Sequence, residues 1–395
     1  METAVYYTMK VVKQICGPEK FDFLLSKDLS LSIFGDNCFY SQLEALKERE
    51  LPLLSSSFTE LPSYNHISTL DKVKKTGLGS SAALVTSIVS SLLQHFGVVD
   101  LPTKEAETSD KLDSVRRCHN LAQFCHCLAQ GKIGSGFDVS SACYGSQIYE
   151  SFSSKSLDSI LQLATKDSLD TCSLLERLEF GNEGKGAEKS CWDNKWERFA
   201  LPGGMELVLG DICLGSETPS MARKVLEAKK NESTKDRVSI VWRALASLNK
   251  KTENLFSELI EIETKDKEKY ERERKVFSAQ KHDQWDSHSE IGKVLHNLRS
   301  TFLEIRSNLK LLGDLSEKTP IEPDVQTQIL DRTMEFPGVL FAGVPGAGGF
   351  DALFAIVLDA SLIEKVERMW NTLSSSTIVP LPVRASGLGI CQETE

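Results

Sequence analysis

Apolar residues recur with a helical period over 2–16, and again from Ser81 to Phe96. There Leu84, Ile88 and Leu92, flanked by Val85, Val89 and Leu93, mark one face of a helix. Leu121, Phe124, Cys125 and Leu128 predict another helix, ending at Gly131. Strand-like spacing appears at LSLSIF, where Leu29, Leu31 and Ile33 alternate, and GSQIYESF and MELVLGDICLG read as two further strands. Residues 49–75, with Pro52, Pro62 and serine runs, read as loop, and 153–200 as a polar connection.

Residues 219–312 are strongly helical, with Ile291, Leu295, Leu298, Phe302, Ile305, Leu309 and Leu312 at alternating steps of 4 and 3. Within them, ETKDKEKYERERK carries both signs and reads as a solvated helix face. Beyond Pro320 and Pro323 a short helix is expected, then strand, glycine loop and strand in GVLFAGVPGAGGFDALFAIVLD, and a last strand in STIVPLPVR. Strands mixed with helices, without a regular βαβαβ alternation, favour an α+β architecture over a doubly wound sheet.

Length adds to this picture: 395 residues, 41% of them hydrophobic, supply apolar material for two cores. Forty-six Lys and Arg stand against 56 Asp and Glu, a net charge of -10, so the overall field repels nucleic acid and anionic lipid. Neither is expected as a partner, and an anionic substrate would need a local cluster of cations. Ten cysteines are dilute in a chain of this length, and reduced, buried thiols are expected. METAVYYTMKVVKQICG lacks the apolar core of a signal peptide, and no uncharged apolar stretch approaches the ~20 residues of a membrane span. The expected setting is cytoplasmic, compatible with peroxisomal, and the expected state a monomer or weak homodimer.

Three glycine-rich segments carry the candidate chemistry. In Lys74-Lys75-Thr76-Gly77-Leu78-Gly79-Ser80-Ser81-Ala82-Ala83, two glycines let the backbone approach a ligand, and the helix that follows offers its N-terminal amides to an anion. It is not a Walker loop: Gly131-Lys132 has His126 where the first glycine should stand and is followed by Ile133. It is not GxGxxG either, since Ala82 takes the third glycine's place. The plain alternative is a glycine turn capped by serine.

The second segment, Gly131-Lys132-Ile133-Gly134-Ser135-Gly136-Phe137-Asp138, presents an acidic residue from a tight loop, where a helix cap is the plain alternative. The third, Gly343-Val344-Pro345-Gly346-Ala347-Gly348-Gly349-Phe350-Asp351-Ala352, is richer in glycine than a two-residue hairpin needs. Cys118, His119, Cys125, His126 and Cys127 do not make a zinc site. On a helix the like pairs, seven apart, lie about 10.5 Å from each other, too far for bonds of roughly 2.0–2.3 Å. No Ser-His-Asp or Cys-His signature is evident.

In this order the three segments resemble the GHMP kinase superfamily: GLGSSAA is similar to its phosphate loop and GVPGAGGFDA to its third glycine motif. GKIGSGFDVSSACYGSQ, WDNK (192–195), GSETPSM (215–221) and PIEP (320–323) narrow the resemblance to eukaryotic, plant-like phosphomevalonate kinases.

The resemblance implies a two-domain α+β fold, with an N-terminal ribosomal-protein-like domain over 1–215 and a ferredoxin-like C-terminal domain over 216–395. It implies ATP-dependent phosphorylation of (R)-5-phosphomevalonate, with Mg²⁺. Lys75, Thr76, Gly77, Leu78, Gly79, Ser80, Ser81, Ala82 and Ala83 would bind ATP, and Ser81 would ligate the metal. Asp138 and Lys132 would be catalytic, while Ser135, Gly136, Lys195, Ser216, Thr218 and Gly346, Ala347, Gly348 and Gly349 would contact substrate, the last four over the phosphates.

Two departures accompany it. Family members begin with a strand and an APGK-type lysine loop, whereas Met1 falls within what resembles a later helix; a truncated isoform, an incomplete gene model or a degenerate protein would each read so. Mevalonate kinases also carry an acidic metal ligand about where this chain has His126, Cys127 and Gln130. The rival readings are a sister enzyme (mevalonate kinase or diphosphomevalonate decarboxylase) and a non-catalytic ligand-binding relative. A phosphate-monoester acceptor has its second pKa near ~6, so it needs orientation and cations more than a strong base. Lys132 and Lys195 are the candidate cations, with Lys74 or Lys75 serving ATP.

Overall fold

Helices dominate a computed structural model of the chain, which describes residues 1–64, 74–104, 109–180, 192–213, 218–373 and 377–393; the side chains of 109–110 and 218–219 also lie outside the description. In chain order the first elements are α1 (Glu2–Cys16), α2 (Pro18–Leu25), α3 (Leu43–Glu48), α4 (Ser80–His95), α5 (Ser109–Gln130), α6 (Phe137–Tyr144), β1 (Gln147–Glu150), α7 (Asp158–Thr165), α8 (Thr171–Arg177), β2 (Lys195–Arg198) and β3 (Glu206–Asp211). They are followed by α9 (Thr218–Lys230), α10 (Lys235–Lys265), α11 (Lys267–Ser278), α12 (Glu290–Leu315), α13 (Asp324–Met334), β4 (Val339–Gly343), β5 (Ala352–Val357), α14 (Ile363–Asn371) and β6 (Val379–Leu381). Two compact units result: Met1–Ile33 with Gly79–Ala200 and Ala385–Glu395, and Phe34–Leu78 with Leu201–Arg384. Each unit takes segments from both sides of 215/216.

In the first unit, α1, α4, α5 and α6 bury the predicted apolar faces against one another. Val11, Val12, Ile88, Val89, Leu93, Leu121, Phe124 and Val139 form the centre of this core, and Tyr7 meets Phe124 edge to face at 4.9 Å. The antiparallel pair β1–β2 matches Gln147 with Arg198 and Glu150 with Lys195, and Trp196 stacks on Tyr144 at 4.1 Å. The strand expected at LSLSIF is absent: Leu29, Leu31 and Ile33 are 43%, 42% and 45% exposed, in irregular backbone. Alternation marks a segment able to pair, but among the described residues no neighbouring strand completes a ladder with it.

His119, on α5, is buried in this core with its Nδ1 3.0 Å from Asn120 Oδ1 and its Nε2 without a described partner. Burial drives its pKa down to about 4, despite the opposing hydrogen bond that Nδ1–H donates to Asn120. The folded value lies below the usual ~6.5, so the unfolded chain binds the proton first and stability falls with pH from 6.5 towards 4. This one group should cost about 2 kcal/mol between pH 7 and pH 5. Chemical denaturation at both values should show that loss, with His119→Gln reducing it; an identical slope in the two proteins would remove His119 as its source.

In the second unit an antiparallel sheet runs β4-β5-β3-β6, with Glu206–Asp211 aligned against Val357–Ala352. Helices α10 and α12 pack along each other and α12 against β4, while the buried Trp370 of α14 donates its indole N–H to Thr333 Oγ1 at 2.9 Å. The charged run in α11 is not a purely solvated face. Tyr270, Arg274 and Phe277, at steps of 4 and 3, form a buried stripe. Arg274 donates through Nη1 to the Leu358 carbonyl, to Gly204 O at 3.2 Å and to Asp359 Oδ2 at 3.0 Å, so its buried charge is paired with a carboxylate and two carbonyls. The nine described cysteines are all free thiols, four of them buried, four half-buried and Cys172 exposed; Cys191 lies outside the described residues. Among the described residues no helix is long and apolar enough to cross a membrane.

Candidate active site

The first unit joins Gly79–Ala83, the later half of the first glycine segment, to the second segment. Gly79 is the N-cap of α4 with φ +74°, and the Ala82 and Ala83 amides turn back to its carbonyl at 3.0 and 3.1 Å. The amides of Ser80 and Ser81 stand ahead of the intrahelical ladder, where an anion is favoured. Ser81 Oγ lies 3.2 Å from His126 Nε2, which the Gln130 side-chain amide approaches at 2.8 Å. An amide N–H only donates, so His126 Nε2 is the acceptor and a neutral ring carries its proton on Nδ1. Burial holds the imidazole below its ordinary pKa; Asp138 opposes that shift and Lys132 adds to it.

Asp138 sits in the first turn of α6, which starts from Gly136 at φ +78°. Its Oδ1 accepts the Val139 amide at 3.0 Å and its Oδ2 lies 3.8 Å from His126 Nε2. A Cβ built on Gly79 would come 3.5 Å from the Asp138 Cβ, so the carboxylate stands directly beside the loop that opens α4. One on Gly136 would crowd Phe152 Cε1 at 2.6 Å and Gln123 Oε1 at 2.7 Å, so that turn accepts only glycine. The Ser135 carbonyl accepts both Tyr149 Oη and Ser151 Oγ at 2.8 Å, tying the loop to the end of β1.

Lys132 is exposed, its amide closing the end of α5 on Cys127 O at 3.2 Å. Lys195 pairs with Glu150 at 3.0 Å, exposed on β2, and no described contact joins it to Ser81, His126 or Asp138. Ser216 lies outside the described residues, as does the side chain of Thr218, the first residue of α9.

In the second unit, Lys75 bridges to Tyr40, and the fully buried Thr76 donates its hydroxyl to Cys38 O at 2.6 Å. Leu78 packs on the apolar cluster around Leu46, Phe58 and Val379. Gly77, at φ +78°, has Asp351 Cβ 3.6 Å from where its own Cβ would be. Nearby in the sheet, Asp211 is buried and accepts the Cys213 amide at 3.0 Å and its thiol at 3.2 Å. Burial raises the Asp211 pKa and the Cys213 donors counter it; the Cys213 thiol itself is pushed up to about 12, chiefly by burial. In the third glycine segment Gly346 has open space around it, Ala347 is half-buried, and Gly348 and Gly349 pack on Ile321.

Sequence reasoning left His126 and Gln130 outside the candidate set, although Ser81 and Asp138 both meet that histidine. The signal lay in position, one helical turn separating His126 from Gln130 on α5. Asp351 was legible inside the third segment but unassigned, and Asp211 carried no signal beyond its strand.

The GHMP kinases C terminal family matches residues 294–374. A peroxisomal phosphomevalonate kinase of Arabidopsis thaliana is 38% identical over 416 aligned positions, covering 100% of this chain and 78% of that protein. The chain belongs to the phosphomevalonate kinase family. A phosphomevalonate kinase of Candida albicans is 36% identical over 84% of this chain and 66% of its own length, and one of Aspergillus fumigatus 34% identical over 95% and 67%. Among solved structures, Streptococcus pneumoniae phosphomevalonate kinase in complex with phosphomevalonate and AMPPNP aligns at 15% identity over 78% of this chain and 70% of that one, with a TM-score of 0.46. With the antiparallel sheet and helices of the second unit, family membership gives the α+β GHMP kinase fold.

Proposed function

We propose that this chain transfers the γ-phosphoryl group of ATP to (R)-5-phosphomevalonate, releasing ADP and (R)-5-diphosphomevalonate in the mevalonate route to isoprenoids. The observation that carries this reading is identity with phosphomevalonate kinases along the whole chain, 38% in the Arabidopsis protein. In it a phosphate oxygen of the acceptor attacks the γ-phosphorus, the bond to the β-phosphate oxygen breaks, and the electron pair leaves with ADP.

The backbone of Lys75–Ala83 would wrap the nucleotide phosphates, with the Ser80 and Ser81 amides at the head of α4 facing their charge. The acceptor arrives largely dianionic, so the task of Asp138 is orientation rather than removal of a tightly held proton. Lys132, whose charge acts on His126, would supply positive charge, and Gly136 and Ser135 would shape the approach.

Magnesium binds through one or two carboxylates together with substrate phosphates. Ser81 Oγ and the Asp138 carboxylate, both beside His126, are an oxygen donor set of that kind. They would hold the ion, which when bound neutralises charge on the transferring group. Lys195, Ser216, Thr218 and Gly346–Gly349 are proposed as further ligand contacts, and residues 1–215 and 216–395 as the two family domains. A small-molecule pair, ATP and phosphomevalonate, is the whole set of partners this chemistry needs; cytoplasm and peroxisome both suit it.

The test is ADP release by the purified chain with phosphomevalonate, mevalonate or diphosphomevalonate offered separately, and ³¹P spectroscopy of the product. A new diphosphate signal with phosphomevalonate alone is expected. Turnover only with one of the other two acceptors would reassign the chain to a sister activity, and nucleotide binding without any turnover would make it a non-catalytic relative.

A further inference from the structure

The third glycine loop rests on a built platform. The Gly349 amide donates to Ile321 O at 2.8 Å, and the Gln326 side-chain amide donates to the Gly349 carbonyl, so both backbone polar groups of Gly349 are engaged from below. The Gly348 amide turns back to Pro345 O at 3.1 Å, and a Cβ on Gly348 would overlap the Ile321 carbonyl oxygen. Gly346, at φ +64° with open space around it, and Ala347 are left as the outward part of the loop.

Ile321 belongs to the PIEP turn, and its neighbours fix its place. Its side chain packs with Ala228, Val238, Val241 and Leu312 of α9, α10 and α12. Beside it the Glu322 carboxylate, fully buried, accepts Arg306 Nε at 2.9 Å and Nη2 at 2.7 Å, and the Thr327 hydroxyl at 2.9 Å. A buried ion pair adds little net stability over apolar residues of the same volume, so its physical return here is geometric. It holds the turn whose preceding carbonyl, that of Ile321, seats Gly349.

Gln326 makes the same point in sharper form. It is 1% exposed, and its Oε1 has no described partner. An unpaired buried carbonyl is costly, and a leucine at this site would avoid that cost. What leucine would lose is the donor to Gly349.

We propose that Gln326, backed by the Ile321 carbonyl and the Arg306–Glu322 pair, is a positioning residue that fixes the Gly346–Gly349 backbone so that the Gly346 and Ala347 amides meet the nucleotide phosphates. The inference rests on the assignment of this loop to ligand binding made above. Within the loop it divides the labour: Gly348 and Gly349 anchor, while Gly346 and Ala347 contact.

Two variants of the full chain test it together. In Gln326→Leu the KM for ATP and the calorimetric dissociation constant of AMPPNP should each rise about tenfold, the scale of one lost hydrogen bond. The KM for phosphomevalonate and kcat should stay within about twofold, the melting temperature should hold or rise, and amide exchange across 344–350 should accelerate. Unchanged AMPPNP affinity and exchange would overturn the proposal, as would an equal loss for both substrates together with a lower melting temperature, the mark of a merely structural glutamine. Ala347→Glu separates the underlying assignment, because a carboxylate on the outward loop should abolish AMPPNP binding by repelling phosphate. If Ala347→Glu abolishes binding and Gln326→Leu is silent, the positioning role alone fails. If Ala347→Glu binds AMPPNP normally, the loop is not a phosphate contact and the positioning role fails with it.

Discussion

Gly79→Val is expected to abolish nucleotide binding while leaving the protein folded. Gly79 caps α4 at φ +74°, a left-handed conformation that costs an L-residue roughly 1–2 kcal/mol and a β-branched one more. A bare Cβ would stand 3.5 Å from the Asp138 Cβ, ordinary contact, so the backbone strain and the two additional methyl groups do the damage. Relief of that strain would rotate the Ser80 and Ser81 amides, and the methyl groups would fill the space that the proposed phosphate needs at the helix N-terminus. Calorimetry with AMPPNP should show at least a hundredfold loss of affinity, about 2.7 kcal/mol, with the far-ultraviolet dichroism retained. Gly79→Ala, which keeps the strain and drops the methyl groups, should fall between. Wild-type affinity in a folded Gly79→Val protein would sink the phosphate-loop assignment.

The elements legible in the sequence are those whose burial depends on one face of a long helix. Ile88, Leu92 and Leu121 lie where their spacing put them, because a core needs only a contiguous apolar stripe and α4 and α5 each carry one. LSLSIF failed for the complementary reason: a strand exists only with a partner, and alternation says nothing about whether one is there. In α11 the charges masked Tyr270, Arg274 and Phe277, since a guanidinium reaching two backbone carbonyls and Asp359 is as buried as a tyrosine but reads as polar.

At the candidate site, the glycine segments were visible because a bare, positive-φ backbone needs glycine whatever surrounds it, as at Gly79 and Gly136. Their mutual arrangement was not. Ser81 and His126 are 45 residues apart, and only the packing of α4 on α5 brings Oγ and Nε2 to 3.2 Å. The platform beneath Gly349 was hidden more deeply, because Gln326 looks in sequence like any polar helix residue.

Asp138→Asn is expected to lower turnover by about 10²–10³-fold while nucleotide affinity changes by less than about threefold. The substitution keeps the shape of the side chain, and an amide oxygen can still accept the Val139 N–H that Oδ1 now takes at 3.0 Å. The side chain is 38% exposed and half out of the core, so little stability is at stake. What disappears is a negative charge beside His126 and the head of α4. On the proposed reading the ground state holds ATP by the backbone amides at the head of α4, and those the substitution leaves untouched. The acceptor phosphate and the γ-phosphoryl must then be brought into line, and the group that orients them matters only at that stage. The loss should therefore appear in kcat with phosphomevalonate, measured by ADP release, and not in calorimetry with AMPPNP. If His126 and Gln130 hold the second face of this pocket, His126→Ala should act on the same step, and the double variant should lose little beyond Asp138→Asn alone, because residues that act as a unit are not additive. Turnover in Asp138→Asn equal to that of the parent would reduce Asp138 to a residue of the first helical turn.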